Sequence, residues 1–111
     1  MNAGRNEPQF DAEEIFEGIR DWVLCESPTV HVAGVNAMMD KAEQALARVG
    51  AAIERQPGRH GFADIVMGRI PGKRDGPGIL VLGHLDTVHM VGTLDDKLPF
   101  RREGDKVYGP G

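Results

Sequence analysis

Ile79-Leu80-Val81-Leu82 is an uninterrupted apolar run that ends on Gly83 and is followed by His84 and, two positions on, Asp86. A run that is apolar at every position has no polar face to give to water. It fits a strand covered on both sides, central in a layered α/β sheet. Open α/β sheets gather their functional groups at the carboxyl ends of such strands. Gly83 frees the turn of a side chain, and in extended chain the side chains at 84 and 86 project to the same side. A histidine that binds a metal commonly gives its other ring N–H to a carboxylate or carbonyl. His84 is therefore a candidate metal ligand and Asp86 a candidate for the acid that orients it. Alone, the spacing more often marks a surface histidine beside a turn aspartate, and it is the strand-end position that favours the metal reading.

The rest of the chain supplies elements for such a layer. Residues 1–9 are polar and aperiodic, a flexible terminus. Residues 10–26 form a helix by pattern, with Ile15, Phe16, Ile19, Trp22 and Val23 at helical spacing. Asp11 is its N-cap, with Glu14 in the capping-box position and Phe10 and Ile15 placed for a hydrophobic staple. Gly18 costs this helix about 1 kcal/mol relative to alanine. Pro28 stops the helix by disfavouring helical geometry in the residue before it. A second helix carries Val35, Met38, Met39, Ala42, Ala45, Leu46 and Val49 on one face, and Gly50 is the left-handed residue that ends it. Twelve of the fifteen glycines lie at or after Gly50, so strands and turns follow. Residues 51–56 and 62–70 are expected to pair antiparallel around Pro57-Gly58. Residues 71–78 are a polar loop. Residues 97–102 and 105–108 are short strands flanking Gly104. The expectation is an α/β fold of two N-terminal helices and then a mixed β-sheet.

Composition excludes several classes. A net charge of −4 argues against a nucleic-acid backbone as partner. The longest apolar run is far short of the roughly twenty residues that span a bilayer, and no signal peptide precedes the first helix. The single cysteine, Cys25, forms no internal disulfide and reads as a small core residue of a protein in a reducing, cytoplasmic compartment.

Four separated blocks occur in a meaningful order: Glu26-Ser27-Pro28-Thr29; Gly83-His84-Leu85-Asp86-Thr87-Val88 with Gly92-Thr93; Pro99-Phe100-Arg101; and Gly104-Asp105-Lys106-Val107-Tyr108-Gly109-Pro110-Gly111. Together they resemble the amino-terminal catalytic segment of a di-zinc exopeptidase family that includes glutamate carboxypeptidase, acetylornithine deacetylase and succinyl-diaminopimelate desuccinylase. The glutamate carboxypeptidase branch is the nearest in wording. The resemblance implies that residues 10–111 are an incomplete N-terminal part of a metallopeptidase catalytic domain. It implies that His84 binds one of two zinc ions and that Asp86 orients His84 without being a ligand. Gly109-Pro110-Gly111 matches the start of a G-P-G-x-x-D block whose aspartate bridges the two metals. That aspartate falls beyond Gly111. The chain departs from the family at Met90, where proline is usual, which puts the shape of that loop in doubt. His89, His31 and His60 receive no role, and Asp95 and Asp96 read as solvated turn residues.

The implied parent is a zinc-dependent hydrolase that cleaves a C-terminal amide of a small peptide or N-acyl amino acid and dimerises through a domain not found here. A zinc site takes about three or four protein ligands, and this chain offers one, so the segment alone is expected to be inactive. Two other readings stand beside it: a non-catalytic interaction or dimerisation module, and an unrelated small α/β binding domain in which His-x-Asp is coincidental. Burial of His84 in the apolar core would favour the last.

Overall fold

The computed structural model describes residues 7–111, so most of the expected flexible terminus lies outside the described residues. Two helices are followed by two small antiparallel sheets, an α/β arrangement. Helix α1 spans Ala12–Val23. Asp11 caps it: its Oδ1 accepts the N–H groups of Glu13 at 2.9 Å and Glu14 at 3.2 Å. Glu13 and Glu14 also complement the positive end of the helix dipole. The expected staple contributes no burial at Phe10, which remains 80% exposed.

Helix α2 spans Val32–Arg48. It ends in a Schellman motif, with Gly50 at φ 82°. The Gly50 N–H bonds Ala47 O at 3.0 Å, and the Ala51 N–H reaches back to Leu46 O at 3.1 Å. Strands β1, Ala52–Gln56, and β2, Ile65–Arg69, then pair antiparallel with Glu54 opposite Met67. The hairpin lies against α2, where a Cβ added at Gly68 would come within 3.0 Å of the Leu46 side chain. Arg55 on β1 fastens the two layers. Its guanidinium bonds Asp40 and, at 3.1 Å, Glu43 on α2, and it holds Asp64 before β2 at 2.9 Å. A second hairpin pairs β3, Arg101–Glu103, with β4, Lys106–Tyr108, around Gly104 at φ 61°. It meets α1 through Phe100, whose ring centroid is 5.7 Å from that of Phe16, and through Arg102, which pairs with Glu13.

The covered central strand expected at residues 79–82 is not formed. The segment runs past α2 and β2 without joining a ladder. Its four side chains are 79% to 95% exposed, and among the described residues its backbone finds no backbone partner. A groove of about 790 Å³, bordered by Val35 and Met39 on α2, Val66 on β2 and Val81, separates the segment from those elements. An apolar pattern specifies the cover a strand needs; here neither sheet extends far enough to provide it. Both sheets are antiparallel, and the parallel pairing among the described residues is an isolated bridge between Pro28 and Thr87. Among the described residues the buried apolar side chains are correspondingly few, Val35, Met38, Pro28 and Pro110, with Pro28 the one fully buried. Cys25 is half-buried, which pushes its thiol pKa up. No helix among the described residues is long and apolar enough to cross a membrane.

Candidate functional site

The loop that ends α1 carries the strand-end segment. Ser27, 3% exposed, donates its hydroxyl to Leu85 O at 2.7 Å. The Thr87 N–H bonds Ser27 O at 2.8 Å, and the Thr29 N–H bonds Thr87 O at 3.1 Å. The Thr29 hydroxyl donates to Asp86 Oδ2 at 2.6 Å, with Thr87 O farther away at 3.3 Å. Four hydrogen bonds to three consecutive residues thus fix the chain beside His84, although residues 79–82 just before it are free of any ladder. Gly34 permits this packing. A Cβ there would lie 2.3 Å from Glu26 O and 2.6 Å from the His31 ring.

His84 and Asp86 are brought together. His84 Nδ1 lies 3.2 Å from Asp86 Oδ1 and 3.1 Å from Asp86 O. A carboxylate and a carbonyl only accept hydrogen bonds at neutral pH, so Nδ1 must carry the ring proton. The lone pair is then on Nε2, and the His84 side chain is 84% exposed. His84 is therefore not buried in an apolar core. The Thr29 hydroxyl, offset in part by burial, holds the Asp86 carboxyl below the usual carboxylate range, with smaller help from the Asp86 N–H and His84.

A cleft of about 340 Å³ opens beside the pair, lined by Trp22, Met38, Ser27 and His89 as well as His84 and Asp86. His89 reaches the cleft but brings no third ligand: among the described residues no three His, Cys, Asp or Glu side chains gather as a metal-binding group. His84 suits a zinc ligand by its free Nε2 and its anchored Nδ1. The donor set as a whole does not amount to a zinc site among the described residues.

The loop that carries Met90 is held by several hydrogen bonds. Met90 O accepts the Thr93 hydroxyl at 2.6 Å and the Thr93 N–H at 3.1 Å. Glu26 accepts the N–H of Gly92 at 2.9 Å and of Leu94 at 3.1 Å, bonds that lower its pKa. Asp95 and Asp96 are exposed beside the short 3₁₀ turn Thr93–Asp95, and His60 occupies a left-handed turn position at φ 56°. Sequence reasoning gave no hydrogen-bonding part to Glu26, Ser27 or Thr29. Their signal was the block Glu26-Ser27-Pro28-Thr29, which marks the loop but not the partners of its side chains.

The sequence relationship is to a carboxypeptidase. The chain is 35% identical over 98 residues to carboxypeptidase G2 of Pseudomonas sp. (strain RS-16), a match that takes in 87% of this chain and 23% of that protein. The chain therefore spans about a quarter of its relative's length. No family model matches it.

Proposed function

We propose that this chain is the part of a zinc-dependent carboxypeptidase that presents one metal-binding histidine. His84 serves as the ligand and Asp86 as the acid that orients it. The observation that carries this reading is the arrangement at His84: Nδ1 faces two acceptors and Nε2 faces solvent. A carboxylate that accepts the other ring N–H holds a ligating histidine in this tautomer. Similarity to a carboxypeptidase supports the reaction class. The substrate is a small peptide or N-acyl amino acid with a C-terminal amide bond, of the glutamyl type. The whole protein works in the cytoplasm and pairs through a separate domain. The 111-residue chain alone is inert, because a hydrolytic zinc site takes about three protein ligands.

The test is release of glutamate from an N-acyl glutamate, with and without a chelator, by the protein made from the whole reading frame. The expected result is chelator-sensitive turnover that His84→Ala abolishes and Asp86→Asn lowers by about 10- to 100-fold, with no turnover by the 111-residue chain. Full activity of His84→Ala would remove the ligand role, and indifference to the chelator would remove the metal. The exposed apolar residues 79–82 favour an interaction module as the second reading. It predicts a stable 111-residue protein and no hydrolysis from the longer one.

A further inference from the structure

We propose that Thr29 is a positioning residue for His84 and acts through Asp86. The Thr29 hydroxyl holds one carboxylate oxygen, Oδ2, at 2.6 Å, while the other, Oδ1, faces His84 Nδ1 at 3.2 Å. A distance of 2.6 Å is that of a charge-assisted O–H···O bond. A hydroxyl has one proton to give, and Thr87 O at 3.3 Å is the poorer acceptor. The terminal torsion of an aspartate is broad when nothing holds it. Tying Oδ2 narrows that torsion and keeps Oδ1 turned towards the ring. Asp86 is one-third exposed, so without Thr29 water competes for both oxygens.

The backbone does not do this by itself. The bonds between Ser27 or Thr29 and Thr87, and the Ser27 hydroxyl on Leu85 O, fix where the Asp86 Cα lies. They leave its carboxylate free to rotate. This inference deepens the proposed function and takes from it the view of His84 as the metal-facing histidine. The hydrogen-bonded series Thr29, Asp86, His84 is geometric and needs no metal.

The experiment is long-range ¹H–¹⁵N spectroscopy of the imidazoles in the labelled 111-residue chain, at a pH where the rings are neutral. It reads the proportion of the Nδ1–H and Nε2–H tautomers at His84. The unaltered chain should hold chiefly the Nδ1–H form. Thr29→Val keeps the β-branch and the backbone bridge, and should lower the Nδ1–H to Nε2–H ratio about fivefold, the worth of one hydrogen bond. Thr29→Ser should restore it. The Thr87 amide, bonded to Ser27 O, reports that the bridge persists, and Thr29→Ala repeats the deletion if the valine variant does not fold. An unchanged ratio in Thr29→Val and Thr29→Ala, with a shift in Asp86→Asn, would overturn the proposal by showing that Asp86 orients the ring unaided. An Nε2–H majority in the unaltered chain would overturn it at its base. The zinc reading fails separately, in the chelator assay, with the tautomer result untouched.

Discussion

Glu26 spans from the end of α1 to the loop beyond the site, and its hold there depends on its charge. Its carboxylate accepts two backbone N–H groups, and those bonds, ahead of its other interactions, lower its pKa from the ordinary 4.5. A group with a depressed folded pKa contributes its stability above the unfolded value and loses it as pH falls through the folded one. The anchoring of Gly92 and Leu94 is therefore complete above pH 4.5 and released below it. The amide shifts of Gly92 and Leu94 should stay constant on descent to that pH, then move together with a midpoint beneath it. In Glu26→Gln they should remain flat. A midpoint at or above 4.5 would mean that the carboxylate does not hold the loop. Ser27 holds the site by a hydroxyl bond to a backbone carbonyl, Leu85 O, which does not titrate, whereas the Thr29 hydroxyl bonds the Asp86 carboxylate and lowers its pKa.

At the level of elements, the approach of α2 to the end of α1 is set by one missing side chain. At Gly34 an added Cβ would meet a backbone oxygen, Glu26 O, and the next residue is tied down at Ser27. Gly34→Ala should therefore destabilise the fold by about 1–3 kcal/mol, as overpacking does. Gly18 faces open space, so Gly18→Ala should raise stability by up to about 1 kcal/mol through helix propensity. Opposite shifts of the urea midpoint at constant slope would show this, and equal shifts would refute it. The capping aspartate, the Gly50 stop and the Gly104 turn were legible in sequence because each is decided within a few residues. The ties from Ser27 to Leu85 and from Thr29 to Asp86 cross 58 and 57 positions and left no local mark. His84 and Asp86 were legible as a pair for the opposite reason, since extended chain alone sets two residues at that spacing side by side.

For the whole molecule, the shortage is of cover. The radius of gyration is 17.2 Å, against about 13 Å for a compact domain of this length. Ile15 and Ile19 on α1 are each 48% exposed, and residues 79–82 are more exposed still. The apolar pattern of residues 79–82 was legible as a requirement for neighbours, but a pattern does not say whether the same chain meets the requirement. What it leaves is an extended, apolar segment whose N–H and C=O groups are unpaired among the described residues, the template that invites pairing with another chain. The 111-residue protein should accordingly self-associate as its concentration rises. Val81→Pro takes away one donor in the middle of the segment, and Val81→Lys adds a charge that resists edge-to-edge pairing. Neither should disturb the Ser27–Thr87 bridge, which lies beyond Gly83 and draws on other backbone groups. In sedimentation velocity the unaltered chain should shift to larger species with concentration while both variants stay monomeric. Association that persists unchanged in both would place the contact elsewhere, with the exposed apolar face of α1 as the next surface to alter.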